Sequence, residues 1–96
     1  MRYSPDIEAR IDSRFKDGAK VRGLLAQLTA IIDKERIVRC ILELSESDYD
    51  SVAAWVKTAN VDYRNVIGLA EFDNREVRRF NFTYPMDSQK PYSYKE

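Results

Sequence analysis

Two stretches decide how this chain is read: Ser47–Val56, "SDYDSVAAWV", and Val61–Ala70, "VDYRNVIGLA". Each opens Asp-Tyr, each places a Val four residues after the Asp, and each runs on into apolar residues. Val52, Ala53 and Val56 in the first, and Val66, Ile67 and Ala70 in the second, recur at the three-to-four spacing of a helix. An Asp at the start of a helix accepts hydrogen bonds from backbone N–H groups that have no partner within it. The pair therefore reads as two amphipathic helices capped by Asp48 and Asp62. Tyr49 and Tyr63 begin their buried faces, and Trp55 and Leu69 sit just off the stripe at equivalent places.

Working outward from this pair, three more helical patterns precede it. Ser4-Pro5 is a helix start, with Ser at the cap and Pro where its missing N–H is not needed. Asp6 and Glu8 suit the positive end of that helix, and Ile7, Ile11 and Phe15 form its narrow apolar stripe. Asp17-Gly18 reads as its end, with Gly18 free to take a left-handed conformation. Val21, Leu24, Leu25, Leu28, Ile31 and Ile32 mark a second helix in which Gly23 suggests a close crossing. Ile37, Val38, Ile41, Leu42 and Leu44 continue as a third. The expectation is an all-α domain, a compact bundle of five short helices over 4–17, 19–33, 35–46, 48–59 and 62–72, joined by short connections.

After Phe72 the pattern changes. Phe80, Phe82 and Tyr84 alternate at period two, which predicts an extended segment, and "PMDSQKPYSYKE" follows with two prolines. This divides the chain into a helical domain, 1–74, and an extended aromatic C-terminal arm, 75–96, docked on the domain or on a partner. A lone strand finds no sheet in a helical bundle, so Phe80 and Phe82 either pack on the helices or meet a second copy.

Composition sets bounds on function. Ninety-six residues make one domain, and 44 % hydrophobic against 33 % charged residues is the balance of a globular protein. Sixteen basic and sixteen acidic residues cancel, so no overall field draws the chain to nucleic acid or an anionic membrane. No apolar run has the length of a membrane span, and "MRYSPDIEAR" lacks the apolar core of a secretory signal. The single Cys40 excludes an internal disulfide and points to a reduced, cytoplasmic protein.

Catalytic residue types are sparse. Histidine is absent, which removes the commonest general base and the commonest metal ligand. Arg36 and Arg39 flank Cys40 and would lower its pKa, but a Cys among apolar helix residues ordinarily behaves as a small hydrophobe. The acidic run Glu43, Glu46, Asp48 and Asp50 starts like a calcium loop, yet the sixth and twelfth positions from Asp48 are Ala53 and Ala59, where Gly and Glu are required. No catalytic, cofactor or metal residue is assigned. The expected function is a non-catalytic protein–protein interaction module, a homodimer or small complex subunit, with no membrane role. Its partner-binding residues are Trp55, Arg78, Arg79, Phe80, Phe82 and Tyr84, types enriched at contact hot spots. The alternative is a nucleic-acid-associated regulator, in which Arg75, Arg78 and Arg79, with Lys90 and Lys95, contact phosphates and the interleaved aromatic rings stack on bases.

Overall fold

The apolar stripes assemble around α3 (Lys34–Ser45), because this helix is buried on nearly every side. In the computed structural model, which describes residues 3–30, 33–73 and 77–89, Ile37, Val38, Arg39, Cys40, Ile41 and Leu42 are all buried in succession. Against it pack α1 (Pro5–Arg14) and α4 (Tyr49–Glu71), with α2 (Gly18–Leu25) resting on α1 and α4. The α3–α4 contact is the most extensive. A short antiparallel pair follows, β1 (Phe72–Asp73) with β2 (Val77–Arg78), in which Phe72 faces Arg78 and Asp73 faces Val77. A 3-10 turn, Met86–Ser88, completes the order. Among the described residues the fold is all-α apart from this two-residue ladder.

Among the described residues four α-helices stand where five were expected, and the difference lies at Asp62. Residues 49–71 run as one helical stretch kinked at Asp62, which alone has non-helical dihedrals (φ −155°, ψ 94°), so the two expected helices meet directly. The two Asp residues nevertheless play the same part. Asp48 Oδ1 accepts from the Asp50 N–H at 3.1 Å, and Asp62 Oδ1 accepts from the Arg64 N–H at 3.2 Å. Each caps the helical segment after it, and the second segment starts without an intervening loop. Behind the caps Val52, Val56, Ala59, Val66 and Ala70 are buried as their spacing requires.

The tyrosines diverge. Tyr49 is a wedge: its ring lies 5.3 Å from that of Phe15, Lys20 Nζ sits 4.8 Å over it, and its hydroxyl accepts from the Asp17 N–H at 2.8 Å. Tyr63 is exposed, correcting the expectation that both rings start buried faces. The kink rotates the second segment, so equal sequence offsets no longer point at the same core.

Asp17-Gly18 begins a helix rather than ending one. α1 stops at Arg14, Phe15 leaves it in an extended conformation to enter the core, and Asp17 Oδ1 caps α2 by accepting from the Lys20 N–H at 3.1 Å. No glycine among the described residues has a positive φ. α2 also ends early, at Leu25. Asn60 of α4 then fixes the following turn, donating to the Gln27 carbonyl at 3.0 Å and accepting from the Thr29 N–H at 2.9 Å. Ile31 and Ile32, expected in this helix, lie outside the described residues.

Gly23 marks no close crossing, since a Cβ placed there meets nothing within 4 Å. It is an exposed residue inside α2 with ordinary helical geometry, so Ala would cost no contact and would restrict the unfolded chain. Gly23→Ala should stabilise the protein by about 0.5–1 kcal/mol, read as a higher denaturant midpoint at unchanged slope.

Candidate functional site

The chemistry of this protein is concentrated in two buried ionic clusters, and both hold the C-terminal segment. The first is centred on Glu71, the last residue of α4, whose side chain is 0 % exposed. Arg36 of α3 grips it with both ends of its guanidinium, Nε to Oε2 at 2.9 Å and Nη2 to Oε1 at 2.7 Å. Arg78 Nη2 reaches Oε1 at 2.7 Å from the other side, and the Phe82 N–H donates to Oε2 at 3.0 Å. The main-chain carbonyl of Glu71 is also engaged, accepting from the N–H groups of Arg79 and Phe80. Burial by itself would raise the carboxyl's pKa, but the two guanidinium groups and the Phe82 N–H outweigh it and hold Glu71 below the ordinary glutamate value.

The second cluster joins α1 to α3. Arg39 donates to both carboxylate oxygens of Asp6, Nε to Oδ2 at 2.9 Å and Nη2 to Oδ1 at 3.2 Å, with both residues buried. Its remaining Nη1 donates to the Phe82 carbonyl at 3.0 Å. Asp6 Oδ2 accepts in addition from the Met86 N–H at 2.9 Å. Here too burial pushes the carboxyl up, and Arg39 with the Met86 N–H pulls it below the ordinary aspartate value. Phe82 is thus held at its N–H by Glu71 and at its carbonyl by Arg39, two charges from different clusters.

The arm residues named from sequence are placed unequally. Phe82 is 1 % exposed and belongs to the core of its own chain, stacked on the half-buried Phe80 at 5.1 Å between ring centroids. It is not a free contact residue in this conformation, because the two clusters satisfy its backbone and the helices cover its ring. Both rings turn toward the bundle, although the chain is a turn from Phe82 to Tyr84 rather than the extended run expected. Arg78 is committed to Glu71 and lies 5.1 Å over the Phe72 ring, while Arg79 lies 5.4 Å over Phe80. Tyr84 is exposed, and Trp55 is half-buried against the core on α4. Arg75, Lys90 and Lys95 lie outside the described residues.

Cys40 is fully buried, its sulfur 3.8 Å from Glu71 Oε2. Burial and the Glu71 charge push the thiol up, with Arg36 opposing, so the thiolate needed for nucleophilic chemistry does not form near neutral pH. The acidic run separates into structural tasks: Glu43 pairs with Arg10 at 3.4 Å and Asp48 caps α4. Among the described residues no three Cys, Asp or Glu side chains converge as a metal site, and no helix is long and apolar enough to cross a membrane.

Sequence reasoning missed the two residues that organise the site, Glu71 and Arg39. A signal for Arg39 was present: a charge inside the otherwise apolar run Ile37–Leu42 must find a partner or leave the core. Glu71 gave none, since it sits at a helix end where an acidic residue is ordinarily solvated. A shallow cleft of about 240 Å³ runs beside the Asp6 cluster, lined by Asp6, Ala9, Arg10, Ser13, Met86 and Asp87, along the seam between α1 and the docked segment. Comparisons with protein families, with curated proteins and with solved structures find no match.

Proposed function

We propose that this chain is a non-catalytic protein–protein interaction module that pairs with a second copy through the outer face of the second half of α4. The observation that carries the reading is where the exposed apolar side chains fall. Of the four large ones among the described residues, Val61 at 85 % exposure, Leu69 at 49 % and Tyr63 at 39 % lie between positions 61 and 69, and the fourth is Tyr84. Single exposed apolar residues need no explanation, but three within nine residues of α4, spanning the Asp62 kink, suit a contact surface. Of the partner-binding residues named from the sequence, Tyr84 is exposed and Trp55 half-buried, so both keep surface open to a partner. Copies with no net charge do not repel one another.

The buried ionisable groups support a binding role in another way: Glu71, Asp6, Arg36 and Arg39 are all engaged in holding the chain to itself. The engagement of Arg78 with Glu71 weighs against phosphate contacts by the same residue. The reading extends to a cytoplasmic protein, which the free, buried Cys40 suits.

Sedimentation velocity from micromolar to millimolar protein tests the surface. The wild type should self-associate, and Leu69→Lys or Val61→Lys should each weaken association about tenfold or more while leaving the fold intact. A wild type that stays monomeric throughout the range ends the reading.

A further inference from the structure

The C-terminal segment meets the helices as a ligand meets a receptor. It is shaped by its own contacts: the Tyr84 N–H donates to the Asn81 carbonyl at 3.1 Å and the Ser88 N–H to that of Pro85 at 3.2 Å. The Gln89 side chain staples the loop from within, donating to the Asn81 carbonyl at 2.8 Å and the Pro85 carbonyl at 3.0 Å and accepting from the Asn81 N–H at 2.8 Å. Against the bundle this loop presents two apolar anchors four residues apart, Phe82 and Met86, both buried. It is further held by three main-chain hydrogen bonds to charged side chains, Phe82 to Glu71 and Arg39, and Met86 to Asp6. Thr83, Tyr84 and Pro85 between the anchors are exposed. Main-chain recognition combined with pockets for spaced side chains is how peptide-binding domains hold their ligands.

We propose that this groove is a peptide-binding site that also accepts residues 79–89 of a second copy, so that two chains exchange their C-terminal segments. The occupant follows from chemistry on both sides of the seam: the chain's own segment already matches the groove's two anchor pockets and three charged backbone partners. Exchange transfers these contacts without altering them, which makes it a low-cost route between one copy and two. The segment's internal hydrogen bonds preorganise it, reducing the entropy lost on docking in trans. An open cleft lies beside Met86, along the edge of the docked segment. The inference deepens the self-association reading but uses none of the α4 surface.

A fluorescent peptide of residues 79–89, titrated into the full-length protein and followed by anisotropy, tests it. In the wild type the tethered segment competes at an effective concentration on the order of millimolar, so the peptide should bind weakly. Phe82→Ala in the full-length chain should bind the wild-type peptide about tenfold more tightly than the wild-type protein does, and Met86→Ala should shift affinity the same way by less. A peptide carrying Asp in place of Phe82 should not bind. Equal or absent peptide binding across wild type and both groove-emptying variants overturns the proposal, and where Phe82→Ala does not fold, Met86→Ala decides. Leu69→Lys should leave peptide binding unchanged, so failure of the α4 surface and failure of the groove give different results.

Discussion

Glu71→Ala should remove a large share of the protein's stability. The substitution removes the shared acceptor of Arg36, Arg78 and the Phe82 N–H, and so leaves two guanidinium groups and one buried amide without it. Breaking a buried ion pair by removing one partner costs about 3–5 kcal/mol, because the remaining charge is left uncompensated. Arg36 and Arg78 are 24 % and 34 % exposed, so water partly screens them and the loss belongs at the lower end of that range. A domain of this size has only about 5–15 kcal/mol to lose. Urea denaturation measures the effect. Glu71→Ala/Arg36→Met should recover part of the loss, since the double variant no longer buries one guanidinium against an apolar methyl group. A single variant within about 1 kcal/mol of wild type would show that the cluster is energetically idle.

Acid should undo both clusters together. In the folded chain Glu71 titrates below its ordinary value of 4.5 and Asp6 below its ordinary value of 3.8, whereas the unfolded chain restores both. Below those ordinary values the unfolded state therefore binds more protons than the folded one, and stability falls as pH falls. The contribution is fully present above the unfolded values and is gone once pH has dropped through the folded ones. Protonation leaves the guanidinium groups of Arg36, Arg39 and Arg78 facing neutral carboxyls. Denaturant midpoints measured from about pH 7 to about pH 2 should be level at first and then decline steeply. Glu71→Gln should flatten the decline, because one of the two linked protons is gone. A wild-type stability that is level into strong acid would sever the link between these shifts and the fold.

Helical spacing carried most of the fold in advance because it reports which residues must leave water. Val52, Val56, Val66 and Ala70 behind Asp48 and Asp62 are buried as that spacing requires, and both Asp residues cap. Boundaries were less legible where one signal serves two purposes. Asp17-Gly18 fits the end of one helix as well as the start of the next, and Phe15, drawn into the core, decides for the start. The identical offsets of Tyr49 and Tyr63 misled for a related reason, since a kink at Asp62 turns the second segment away from the first.

Of the candidate site, the aromatic character of the arm was legible, but not its conformation or its destination: the period-two spacing of Phe80, Phe82 and Tyr84 predicted an extended run, whereas the chain turns at Phe82–Tyr84, where the Tyr84 N–H donates to the Asn81 carbonyl. Local sequence determined the apolar stripes of the helices and the caps at Asp48 and Asp62, which depend on neighbours within a turn or two. Tertiary structure alone decided that Glu71 and Arg39 would be buried. Their partners Arg36 and Asp6 lie 35 and 33 residues away, and a charge leaves water only where such a partner is already in place. The same clusters then captured the backbone of Phe82 and made core out of a segment whose sequence reads as surface.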